Sequence, residues 1–95
     1  MHQAEWIAIQ ETVHNLMTKG IVTYIKGSGI VVANLSASHG LKKGAELLVT
    51  RNEVKIAKML VVEVRKTNCY SLVFELMKGK FISPSDDVRI TYNPF

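Results

Sequence analysis

Ser36, Ser38 and His39 fall within one short stretch and form the first grouping that suggests chemistry. A hydrolase needs a serine held by a histidine with an acid behind it. Neighbours on one loop seldom reach that geometry, and no Gly-x-Ser-x-Gly elbow is present. The stretch therefore reads as a polar turn that satisfies its own backbone groups. His2, His14 and His39 are far apart, and none forms a helical pair or joins a cysteine pair at metal-ligand spacing, so no zinc or iron site is expected. Asp86 and Asp87 are adjacent and point to opposite faces of extended chain, which suits the start of a strand better than paired acid-base work. Gly27-Ser28-Gly29 reads as a hairpin, because no helix follows to cradle a phosphate. Cys69 is the single cysteine and sits in an apolar run, the setting of a packed thiol. Arg65 and Lys66 would activate it only if they fold beside it. The chain thus reads as non-enzymatic, with no cofactor and no evident small-molecule substrate.

The elements that must position these residues come from a chain of 95 residues, 47% hydrophobic and 21% charged, which fits one globular core. No apolar stretch approaches the roughly 20 residues of a membrane-spanning helix, so membrane insertion is not expected. The N-terminus has no basic region followed by an apolar core, so the chain as given reads as cytoplasmic, or as periplasmic if it is a fragment of a longer exported protein. The formal net charge is +4, but acids are interspersed among the bases, the pattern of a solvated surface.

Trp6, Ile9, Val13, Leu16 and Met17 recur at the spacing of one helical face, with Gln10, Glu11, His14 and Asn15 opposite. Lys19 suits the helix end, and Gly20 the left-handed residue that closes it. Residues 1–19 are thus expected to form an amphipathic helix, and residues 20–95 a small barrel on which it packs. After Gly20 the period changes to two. Strands are expected at Ile21–Lys26, Ile30–Leu35, Leu47–Arg51, Val54–Lys66, Cys69–Leu76 and Val88–Tyr92, with Asn52-Glu53 and Thr67-Asn68 as turns. In the longest strand Val54, Ile56, Leu60, Val62 and Val64 read as the inward set, yet Ala57 and Met59 are apolar and Lys58 interrupts. A bulge near Ala57–Met59 reconciles the two phases. Leu41, between Gly40 and Gly44, is expected to plug one end, and Phe81 with Ile82 to form a short strand or plug. Tyr24, Tyr70, Phe74 and Tyr92 alternate in phase with apolar residues and read as core. The predicted class is mainly β: a small five- to six-stranded closed or partly open barrel with one N-terminal amphipathic helix.

Gly20-x-Val22, Val32-x-Asn34-Leu35, Gly40-Leu41-x-x-Gly44, Ile56-Ala57, Val61 to Val64 and Ile82 with Asp87-Val88 resemble the small barrel at the C-terminus of the flagellar assembly protein T family and related bacterial envelope proteins. The chain departs from that pattern at Ser36, Ala45-Glu46 and Ser85-Asp86-Asp87. The opening strands also resemble the N-terminal six-stranded barrel of rotary ATPase subunits. The first resemblance implies a small barrel that serves assembly in a bacterial complex.

Two functions follow as expectations. The first is a protein-interaction or assembly module in a larger bacterial or phage-like complex, with a protein partner or a homo-oligomer and with Trp6, Ile9 and Val13 as partner-binding residues. The alternative is a nucleic-acid-binding barrel, in which Lys42, Lys43, Arg51, Lys55 and Lys58 make a phosphate-facing strip.

Overall fold

The computed structural model describes residues 19–27 and 29–94. Strands β1 (Lys19–Lys26), β2 (Ile30–Ala33), β3 (Glu46–Arg51), β4 (Val54–Val64), β5 (Cys69–Leu76) and β6 (Asp87–Tyr92) close into one barrel in the order β1-β2-β5-β4-β3-β6. Every pairing is antiparallel, and β6 closes on β1 through Lys19–Arg89, Gly20–Val88 and Ile21–Asp87. The expected helix lies outside the described residues except at its end. There the chain is already strand at Lys19, and Gly20 is a strand residue rather than a left-handed cap. A Cβ on Gly20 would collide with Asn34 Oδ1 and come within 2.8 Å of Leu35 Cγ, so the position needs glycine for close approach.

Local sequence explains the hairpins. Gly29 takes φ +81° in the turn from β1 to β2. Asn52 and Glu53 both adopt positive φ, 52° and 66°, which makes the two-residue turn whose twist matches a β-hairpin. Asparagine tolerates that conformation, whereas glutamate is strained in it.

Two long connections seal the ends. In the β2–β3 loop a 3-10 turn, Ala37–His39, leads to Leu41, which is buried, while Lys42 and Lys43 face solvent. Asn93 latches this loop, its Oδ1 accepting from Lys42 N–H (3.0 Å) and its Nδ2 donating to Gly40 O (2.9 Å). At the opposite end the β5–β6 connection sends Ile82 against the core and leaves Phe81 outside. Between these seals Val22, Val31, Leu35, Leu47, Val49, Ile56, Met59, Val61, Val88 and Ile90 fill the interior. Each such side chain contributes about 1.5–3 kcal/mol by leaving water.

β4 carries a bulge one residue before the expected Ala57–Met59, at Ile56, with a different consequence for phase. Val49 pairs with Ala57 and Thr50 with Lys55, so Ile56 is the extra residue and Ile56 and Ala57 are both buried. Beyond it the odd residues Ala57, Met59 and Val61 point inward, whereas Val54 and Leu60, expected inside, are exposed. Similar slips occur in the strands that carry the aromatics expected in the core. Thr23 is extra in β1, Thr91 in β6 and Phe74 in β5. The slips at Thr23 and Thr91 turn the ring that follows outward, whereas Phe74 keeps the outward alternation of Tyr70 and Leu72. Tyr24, Phe74 and Tyr92 are more than half exposed, and Tyr70 lies on the outer wall beneath Lys26 and Arg65.

Two substitutions test these geometries by denaturant unfolding. Gly20→Val should destabilise by about 1–3 kcal/mol, because the strand cannot move away from Asn34 and Leu35 without breaking its ladder. Glu53→Gly should stabilise by about 1 kcal/mol by removing the left-handed strain.

Candidate functional site

The upper rim of the barrel gathers the end of β3, the start of β4 and the β5–β6 connection. Arg51, last residue of β3, organises it. Its Nε donates to Asp86 Oδ1 at 2.7 Å and its Nη2 to Asp86 Oδ2 at 2.9 Å, a bidentate pair. The same Nη2 reaches Phe81 O at 2.8 Å and Ser83 Oγ at 3.3 Å. Asp86 also accepts from Ser83 N–H at 2.8 Å. The Asp86 side chain is 4% exposed, so it is the buried charge on which the connection folds. Backbone bonds carry the segment onto β1: Ser85 N–H donates to Val22 O at 2.7 Å and Val22 N–H to Asp86 O at 2.9 Å.

Phe81 and Ile82 follow one another in the irregular part of the β5–β6 connection and differ in burial. With Ile82 against the core, Phe81 projects outward, 68% exposed, its ring 6.0 Å from the Arg51 guanidinium carbon. Val54, the cross-strand partner of Arg51, and Leu76 at the end of β5 are also exposed apolar residues of this rim. Lys78 and Lys80 both precede Phe81, within and just after the turn closed by Lys80 N–H on Met77 O (3.0 Å).

The Arg51 guanidinium, through its hydrogen bonds, holds the Asp86 carboxyl below its usual range, aided by Ser83 N–H and opposed by burial. Burial likewise pushes the Cys69 thiol up. Cys69 is fully buried and makes no reactive centre, in keeping with the packed thiol expected of it.

The five basic residues expected to form one strip are split by the fold. Arg51 is committed to Asp86, and Lys55 pairs with Glu75 at 2.5 Å. Lys42 and Lys43 lie in the loop at the opposite end, and Lys58 stands on the outer wall between Leu48 and the carboxylate Glu75. The register instead aligns Lys19, Arg89, Leu48 and Lys58. Lys19 and Arg89 border a groove of about 330 Å³ whose lining also includes Leu48, Thr50, Glu53 and Asp87. Trp6, Ile9 and Val13 lie outside the described residues. Ser36, Ser38 and His39 form a local turn: Ser36 N–H donates to His39 Nδ1 at 3.1 Å, and Ser36 Oγ lies 2.8 Å from Ser38 Oγ. Among the described residues no group of three His, Cys, Asp or Glu could hold a metal ion, and no helix is long and apolar enough to cross a membrane.

Sequence reasoning missed Asp86 as an anchor and Phe81 as an exposed ring. The contrast between Asp86 and Asp87 was legible as alternation, since Asp87 is exposed. The partner 35 positions away, Arg51, was not. Compared with known proteins, the chain matches no family model and no curated protein sequence.

Because the native Asp86 carboxyl titrates below the unfolded value of about 3.9, its stabilisation is present above that range. It should be lost as pH falls through the lowered native value. Asp86→Asn should cost about 2 kcal/mol at pH 7, and unfolding measured from pH 7 to 2 should show a shallower acid limb in the variant. An unchanged limb would mean that another carboxylate governs acid unfolding.

Proposed function

We propose that this barrel is a non-enzymatic protein-interaction or assembly module that docks through its Phe81-centred rim. The observation that carries this reading is a large aromatic ring, 68% exposed, on a segment tied down by Arg51 and Asp86. A ring held in place before binding loses little freedom on docking, and aromatic residues in such settings dominate interface energetics. Val54 and Leu76 extend the apolar surface, and Lys78 and Lys80 add positive charge; among the described residues neither lysine is ion-paired. The fitting partner is a protein with an apolar pocket bordered by acidic side chains. The likeness of the glycine corners to the flagellar assembly protein T barrel supports a place in a larger bacterial assembly.

Nucleic-acid binding is a second reading, favoured by one observation. Tyr24, Phe74, Phe81 and Tyr92 are exposed rings, which is what base stacking requires. Against it, Arg51, Lys55 and Arg65 are paired with Asp86, Glu75 and Glu63.

A photo-crosslinking residue in place of Phe81 should capture a specific protein that one in place of Lys43, at the far end, does not. Reconstituted with that purified protein, Phe81→Ala should weaken binding at least about tenfold, a hot-spot loss. Sub-micromolar nucleic-acid binding that falls steeply with salt and vanishes in Lys78→Glu with Lys80→Glu would overturn the proposal in favour of the second reading.

A further inference from the structure

A second exposed surface lies away from the rim and is traced by the strand register. Starting at Tyr92 on β6, cross-strand partners run through Glu46 on β3, Leu60 on β4 and Leu72 on β5 to Ile30 on β2. Partners across an antiparallel ladder share a face, so these side chains form one row on the outer wall. Leu60 and Leu72 are 39% and 41% exposed, and Tyr92 is 52% exposed. Apart from Glu46, the row is apolar or aromatic.

The chain itself supplies an occupant of matching chemistry. Residues 1–18 carry the apolar stripe Trp6, Ile9, Val13, Leu16 and Met17, with polar residues opposite. They join the barrel at Lys19, whose partner Arg89 lies on β6, the strand that ends at Tyr92. The segment therefore starts beside one end of the row. As a helix it would be about 27 Å long at 1.5 Å per residue. Four strand spacings, from β6 to β2, amount to about 19 Å. The reach is sufficient, and the tether gives the segment an effective concentration that a separate molecule would need millimolar amounts to match.

We propose that residues 1–18 dock in cis as an amphipathic helix on the outer wall, with the Trp6 face over Leu60, Leu72 and Ile30. This leaves the Phe81 rim, at the other end of β3 and β4, free for a partner, so the two surfaces have separate duties. It also accounts for the exposed leucines, which are then interior positions of the whole protein.

Trp6 is the only tryptophan, so its fluorescence reports on the docking of the segment in the full chain. The wild-type emission should be at short wavelength, shielded from acrylamide and independent of protein concentration. Leu60→Lys with Leu72→Lys should shift it to long wavelength. Ile9→Lys with Val13→Lys should do the same, and because that pair lies outside the barrel it leaves β-sheet stability as a control. Neither pair should alter binding through Phe81. Long-wavelength emission in the wild type would overturn the proposal. Short-wavelength emission that persists in both pairs would do so too, as would a shift with concentration, which indicates docking on a second copy.

Discussion

Closing six strands into a barrel forces each strand to bend, and the bends in this protein are made by inserting single residues into the ladders. Thr23, Ile56, Val62, Phe74 and Thr91 each occupy a place with no opposite partner on one neighbouring strand. A bulge bends the strand and also reverses which side chains face inward. Ile56 and Ala57 are both buried because of this, and Tyr24 and Tyr92 stand outside because of it. The outward placement of these two rings follows from the demand for closure.

The ends of the barrel are a separate problem, solved once by apolar packing and once by charge. Leu41 and Leu35 fill the lower end, with Asn93 bonded across the loop from the chain's last strand. The upper end is crossed by a long connection with few regular backbone bonds. There Arg51 contributes hydrogen bonds to Phe81, Ser83 and Asp86. A buried carboxylate is tolerable only when paired and hydrogen-bonded, and Asp86 has both conditions met. The same guanidinium that neutralises it fixes the backbone of Phe81, so the stability of the connection and the presentation of the ring share one cause.

Charge on the remaining surface is mostly short-range. Lys55 with Glu75 and Arg65 with Glu63 are exposed pairs, worth little to stability in solvent. Their effect is on the field the barrel presents, since each carboxylate offsets the cation beside it. Side chains fill the interior, so the barrel presents its outer faces and rims to its surroundings.

The amino-acid sequence by itself determined where the strands fall along the chain, though not whether five or six close the barrel, together with the glycine and asparagine turns, the burial of Cys69 and Leu41, and the need for a bulge in β4. These depend on local conformational preference and on the period of the apolar pattern, both of which act between near neighbours. Tertiary structure decided where the other bulges fall, and therefore that Tyr24 and Tyr92 point outward when their spacing to Val22 and Ile90 suggested alignment with the core; Phe74 stands outside because Leu72, with which it is in phase, does so too. It also decided that Arg51 belongs to Asp86 and Lys55 to Glu75 rather than to a common strip. Side-chain alternation is legible only while the ladder is unbroken. The positions where a closing sheet slips, and the distant charges it brings together, are set by pairing between strands far apart along the chain.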